Sequence, residues 1–325
     1  MNNPYTHLIS LVIPVYRGEK TLPSLISEIA PLTIAQTTPN GNRFVICEVL
    51  LVHDCGPDSS DNTIEVLSTE HSFVRPVWLT RNFGQHAATL AGMASATGDW
   101  VATLDEDGQH APSDIGRMLD RALVGSLQVV YAQPTNPPPH GWLRNMFSRV
   151  AKTVVSKLLG SRKAGHFNSF RLIDGEIARI LAAYCRNGIY LDLALLWIAG
   201  CIGHCPVKLR NEMDRPSGYS YIKLFSHFWR LILATGTRPL RLITFMGLGS
   251  VAIAIGISGY AIIQKIFGNV PIPGWTSLTI IIAFFSGCIL ISLGLLAEYL
   301  AVTLSITMGK PLYVISTKPT RAEVF

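Results

Sequence analysis

The sequence predicts an α/β protein: a mostly parallel sheet with helices on both faces, followed by an interfacial helix and two membrane-crossing helices. Three observations predict it. Short β-rich runs alternate with helical stretches over residues 1–220, the pattern of strand–helix–strand units. Polar residues collect at the ends of three of those runs, where open parallel sheets bind ligands. Two uncharged runs of 22 residues lie close to the C-terminus, each long enough to cross a bilayer core of about 30 Å.

The elements follow in order. HLISLVIPVY (7–16) is the first strand, ended by Arg17-Gly18, and a helix starts near Thr21-Leu22-Pro23. RFVICEVLLVHD (43–54) is the second strand and runs into the turn-rich CGPDSSDNT (55–63). VRPVWLT (74–80) is the third, and GQHAATLAGMASATG (84–98) is a helix with a glycine stop. DWVATLDED (99–107) is the fourth strand, Pro112-Ser113-Asp114 opens another helix, and LQVVYA (127–132) is the fifth strand. The three polar strand ends are Pro14-Val15-Tyr16, His53-Asp54 and Asp105-Glu106-Asp107.

Composition supports the membrane part. Charged residues make up 15% of the chain and hydrophobic ones 49%, with mean hydropathy +0.33; soluble domains carry about 25% charge. Disordered and fibrous classes are excluded, and so is a purely cytosolic protein. Net charge is 27 − 21 = +6. From Gly236 onward Arg238, Arg241, Lys265, Lys310, Lys318 and Arg321 face only Glu298 and Glu323. Basic residues flanking apolar spans point to a lipid bilayer and not to nucleic acid. The spans are Leu242–Ile263 and Thr276–Ala297, joined by a connector with two prolines; a buried helical pair in a soluble core is the competing reading. The basic flanks place both termini on the cytoplasmic side of the membrane, and MNNPYTHLIS carries no signal-peptide pattern. YIKLFSHFWRLILA (221–234) reads as a helix lying along headgroups.

The expected organisation is a soluble domain over 1–220, a juxtamembrane helix over 221–239, a two-helix hairpin over 240–305 and a cytoplasmic tail over 306–325. Gly247 and Gly249 permit close helix contact, so a homo-oligomer is also expected. The six cysteines form no CxxC pair and are read as free thiols of a reducing compartment.

No GxGxxG or GxxxxGK[ST] phosphate cradle is present, which removes dinucleotide and P-loop readings. Asp105 and Asp107 stand at i and i+2 on an extended segment, so they share one side. Two carboxylates there suit a hard divalent cation that keeps waters and bridges phosphate oxygens. Between Arg121 and Ile173 there is no acid, while seven basic residues lie from 144 to 171, including Arg144, Arg149, Lys152 and Arg171. Arg144 and Ser148, at i and i+4, share a helix face, and arginine's planar fork suits phosphate. A face attracted to anionic lipid is the alternative for this run.

SLVIPVYRGEKTL (10–22), VLLVHDCGPDSSDNT (49–63), LTRNFGQHAATLAGMASATGD (79–99) and LDEDGQHAPSDI (104–115) resemble family 2 glycosyltransferases of the Rossmann-like GT-A fold. NSFRLID (168–174), RPSGYSY (215–221), LGLLAEYL (293–300) and GKPLYVI (309–315) extend the resemblance to the branch that glycosylates polyprenyl phosphates. The resemblance implies a metal-dependent inverting transfer of sugar from a nucleotide-sugar, UDP-linked ahead of GDP-linked, to undecaprenyl phosphate on the cytoplasmic leaflet, for later envelope glycan modification.

The same resemblance implies roles for residues. Pro14, Tyr16, Glu19, Val52, Asp54, Gly84, Gln85, Asp105 and Glu106 would bind the donor. Asp105, Asp107 and Gln109 would hold Mg²⁺ or Mn²⁺. Arg144, Ser148, Arg171 and Arg215 would hold the acceptor phosphate, with Asp105, Asp107, Arg144 and Arg215 as the reacting set. The chain departs from the family pattern at Arg17-Gly18, His53, Glu106 and Tyr221, and YAQPTNPPP lacks an arginine often found there. Asp192 reads as a helix cap or partner ahead of a base, His86 as a packing residue or one that senses the donor, and His110 as a residue supporting Gln109. A processive synthase is disfavoured, because Gln-x-x-Arg-Trp and further spans are missing. A catalytically silent membrane partner that binds donor or lipid phosphate is the non-enzyme alternative.

Overall fold

The computed structural model describes residues 5–136, 167–185, 190–210, 275–309 and 311–318, and eight separate residues between 247 and 263. The chain divides into two compact units, Met1–Ser220 with Pro311–Phe325, and Tyr221–Lys310.

The first unit is built on a nine-stranded mixed sheet. Its strands are β1 (Thr6–Val15), β2 (Gln36–Thr37), β3 (Arg43–His53), β4 (Val74–Leu79), β5 (Trp100–Thr103), β6 (Val129–Pro134), β7 (Arg171–Asp174), β8 (Ile202–Val207) and β9 (Ile315–Ser316). They lie in the order β8-β6-β7-β5-β1-β3-β4-β9, with β2 on β3. β5, β1, β3 and β4 form a parallel centre, while β7 runs antiparallel to both β5 and β6. All five expected strands are present. β5 is shorter than expected, because residues 104–107 leave the sheet to form a loop.

The helices are α1 (Leu22–Ile29), α2 (Ser60–Glu70), α3 (Gln85–Ser95), α4 (Ile115–Gly125), α5 (Gly175–Tyr184) and α6 (Leu191–Ile198). Successive strand residues point to opposite faces. Leu11, Ile13, Val49 and Leu51 therefore join one buried cluster with α1, α2 and α4. Val12, Leu50 and Val52 join a second with α3 and α5. Burial on both faces explains why β1 and β3 read as continuous apolar runs instead of alternating ones. The small residues of α3 have the same origin. A Cβ on Gly92 would stand 2.3 Å from Val12 Cγ1, so the helix lies close against the sheet.

In the second unit, α7 (Trp275–Thr307) is one helix of 33 residues. It contains the one stretch among the described residues that is long and apolar enough to cross a membrane, Phe284–Ala301. It overruns the expected end at Ala297 because nothing in LLAEYLAVTLSIT breaks a helix until Gly309, at φ +66°. The eight described residues of the first expected span are helical; the rest of that span and the expected juxtamembrane helix lie outside the described residues. Among the described residues one candidate span is seen; two were expected in the chain.

Candidate active site

The carboxyl ends of β1, β3, β4 and β5 are tied into one constellation. Glu106 accepts hydrogen bonds from the backbone N–H of Tyr16 at 3.0 Å and of Arg17 at 3.0 and 3.2 Å. The Gly18 N–H donates to Ser60 Oγ at 2.8 Å, the Glu19 N–H to Asp58 at 3.2 Å, and the Ser59 N–H to Glu19 at 3.2 Å. The loop after β3 presses directly on the loop after β1: a Cβ on Gly56 would come within 1.6 Å of the Tyr16 carbonyl oxygen. Only glycine permits that approach.

Asp54, at the end of β3, is buried and accepts the amides of Phe83 at 2.7 Å and Gly84 at 2.9 Å. Burial pushes its carboxyl above the usual range, against the pull of those two amides. Cys55 beside it adopts φ +48° and donates its thiol to Leu79 O at 3.0 Å. Gly84 sits at φ +92°, which a side chain would strain, and the turn delivers Gln85 to the start of α3. Gln85 Nε2 then donates to Asp105 Oδ1 at 2.6 Å.

Asp105 is the hub. Its other oxygen, Oδ2, accepts the Ser169 hydroxyl from the corner before β7. Burial raises its carboxyl to about 6; the Ser169 hydrogen bond opposes that rise and the negative charge of Asp107 adds to it. Asp107 Oδ1 accepts the Gln109 N–H at 3.0 Å, around Gly108 at φ +71°. The Gln109 carbonyl accepts the Arg210 N–H at 2.9 Å. No group of three or more His, Cys, Asp or Glu side chains able to hold a metal occurs among the described residues. Two carboxylates on one loop still fit Mg²⁺ or Mn²⁺, which take most of their oxygen ligands from water and phosphate. Each Asp105 oxygen accepts one hydrogen bond from the protein and retains a lone pair.

Residues 10–179, more than half of the chain, match the family described as Glycosyl transferase family 2. The chain belongs to glycosyltransferase family 2. Along almost its whole length the glycosyltransferase is also similar to two curated proteins. One is an undecaprenyl-phosphate 4-deoxy-4-formamido-L-arabinose transferase of Aeromonas hydrophila, 29% identical over 99% of both chains. The other is the bactoprenol glucosyl transferase of Shigella phage SfX, 26% identical over 95% of this chain and 99% of that one. Among solved structures, glucosyl-3-phosphoglycerate synthase of Mycobacterium tuberculosis, in complex with Mn²⁺, UDP-glucose and phosphoglyceric acid, matches with a TM-score of 0.51. That match covers 71% of this chain and 79% of the other at 17% identity. The likeness is one of fold, the GT-A-like α/β arrangement.

Several expectations about the glycosyltransferase's site change on this structure. Arg171, expected on the acceptor phosphate, is 4% exposed and ion-paired with buried Asp192 at 2.6 Å. Asp192 also accepts the Tyr131 hydroxyl at 3.0 Å. Arg171 is thus committed to the core, and Asp192 is a partner, as its helix-start position suggested. Val52 is fully buried, so its side chain packs in the core and cannot line a donor pocket. Glu106 holds the loop amides of Tyr16 and Arg17, and the extended segment expected for Asp105 and Asp107 is not kept, because the chain turns at Glu106–Asp107 after β5 ends at Thr103. Pro14 is half-buried and Tyr16 is 41% exposed. His110, expected as a supporting residue behind Gln109, is buried against Phe170, ring centroids 5.1 Å apart. Ser169 was missed; it lies 64 residues from Asp105, and the one signal was the NSFRLID motif itself. Arg144, Ser148 and Arg215 lie outside the described residues.

Proposed function

We propose that this glycosyltransferase moves a sugar from a nucleoside-diphosphate sugar, with UDP as carrier, onto undecaprenyl phosphate at the cytoplasmic leaflet of an inner membrane. The product is a lipid-phosphate sugar for envelope glycan modification. The observation that carries the reading is the Asp105–Asp107 loop at the carboxyl end of β5, facing the tied ends of β1 and β3. The full-length similarity to two transferases named for undecaprenyl and bactoprenol substrates supports the acceptor.

The chemistry follows from the groups present. The acceptor is a phosphate monoester with a second pKa of about 6, so it is already largely dianionic at neutral pH and needs no strong base. A phosphate oxygen attacks the anomeric carbon as the bond to the nucleoside diphosphate breaks, which inverts that centre. A divalent cation, when bound, supplies Lewis-acid stabilisation to the leaving diphosphate. Asp105 and Asp107 would hold it, with Gln109 as a further ligand. Glu106 fixes the backbone of Tyr16 and Arg17 at the rim where the base and ribose lie, while Asp54 fixes the Phe83–Gly84 turn. Arg144, Ser148 and Arg215 hold the acceptor phosphate and offset repulsion between two anionic substrates. The proposed anchor is α7 with the run 242–263, which leaves both termini cytoplasmic.

The test is a transfer assay in detergent with undecaprenyl phosphate, Mg²⁺ or Mn²⁺ and a panel of UDP- and GDP-sugars, read as a mass gain of the lipid phosphate. One UDP-sugar giving an EDTA-sensitive product supports the reading. A product formed only from a GDP-sugar corrects the carrier, and nucleotide binding without transfer to any lipid phosphate favours a silent partner.

A further inference from the structure

We propose that Ser169 is a positioning residue for Asp105, pinning the carboxylate from the side opposite Gln85 so that it meets a divalent cation in one orientation. This rests on the metal-assisted reading above. The two arms come from different parts of the fold: Gln85 opens α3 after β4, and Ser169 lies at the corner leading into β7. Each takes a different carboxylate oxygen, so the side chain cannot rotate without losing a bond.

Ser169 is itself held in place. Its carbonyl accepts the Thr103 hydroxyl at 2.5 Å, and Thr103 lies on β5 two residues before Asp105. Asn168 Oδ1 accepts the Phe170 N–H at 3.1 Å, and Asn168 Nδ2 donates to Ala132 O on β6 at 3.1 Å. Phe170 is fully buried, and Arg171 beyond it is locked to Asp192. The corner is therefore anchored to both strands that flank β7. This gives β7 a purpose: an antiparallel strand inserted between β5 and β6 brings a hydroxyl from a distant stretch of sequence to the head of the site.

Removing a partner that orients a metal ligand costs metal affinity even though the partner never touches the metal, by about 10–100-fold. A hydroxyl that merely satisfied a half-buried carboxylate would affect stability without this effect. The experiment titrates Mn²⁺ into full-length, detergent-solubilised protein with UDP or GDP present, followed by electron paramagnetic resonance, and records the melting transition of each variant. Ser169→Ala is expected to weaken Mn²⁺ binding about 10-fold with the melting transition unmoved. Ser169→Thr, which keeps the hydroxyl, is expected to restore native affinity. Native Mn²⁺ binding in Ser169→Ala overturns the assignment alone; so does an affinity loss that follows a lowered melting transition and is not restored by threonine. If the native protein binds no Mn²⁺ with either nucleotide, the metal-assisted reading falls and the positioning role with it.

Discussion

At the residue scale, the informative side chains are those whose surroundings leave them one role. Glu48 on β3 is 4% exposed and accepts Ser10 Oγ, the Thr97 N–H and Thr97 Oγ1, each at 2.7 Å, with Arg75 on its other oxygen. Burial would raise its carboxyl, but those hydrogen bonds outweigh burial and hold it below the usual range. A depressed carboxylate stabilises the fold above its unfolded pKa of about 4.3, and that contribution is lost as pH falls through the folded value. Melting temperature measured against pH is therefore expected to drop on the acid side in the native protein, with a shallower acid slope in Glu48→Gln. Gly56 gives a second prediction. Gly56→Ala forces two backbone loops apart and is expected to cost about 1–3 kcal/mol, seen in chemical denaturation, together with a weaker donor KM. The Asp105–Asp107 pair stood out in the sequence as two acids just beyond an apolar strand, although the segment folds as a turn and not as an extended stretch. Ser169 and the core pairing of Arg171 with Asp192 did not, because both depend on β7 lying between β5 and β6.

At the element scale, the strands of the alternating strand–helix part were legible, four-residue β5 among them, while β2, β7, β8 and β9 were not. β1 and β3 span 10 and 11 residues and read as apolar runs, whereas β2 and β9 have two each, too few for a period to register. β9 pairs antiparallel with β4, Thr80 N–H donates to Val314 O at 3.1 Å, and Lys318 pairs with Glu65 at 2.7 Å. The segment 311–318 thus covers a sheet edge that would otherwise be open to other chains. The exposed Lys318–Glu65 pair adds little, but half-buried Leu312 and Tyr313 on the core contribute about 1 kcal/mol each. A chain cut after Lys310 is expected to melt lower and to aggregate in size-exclusion chromatography, while Lys318→Ala is expected to behave as native.

At the scale of the whole molecule, one chain couples a mixed sheet to a helix about 50 Å long by its 33 residues. That exceeds a hydrocarbon core of about 30 Å, so α7 is expected to continue beyond the lipid at one end. The GT-A-like α/β class was legible in the sequence, because strand–helix alternation is a local signal, and the polar strand ends pointed to the candidate site. The acceptor side is proposed from a basic, acid-free run of the sequence. The proposal of sugar transfer to a polyprenyl phosphate through Asp105 and Asp107 is tested most directly by turnover on undecaprenyl phosphate, comparing native protein with Asp107→Ala at saturating Mg²⁺ or Mn²⁺. A fall of at least about 100-fold, roughly 2.7 kcal/mol of transition-state stabilisation, with the melting transition unchanged, is the expected result. Turnover in Asp107→Ala equal to native would contradict it.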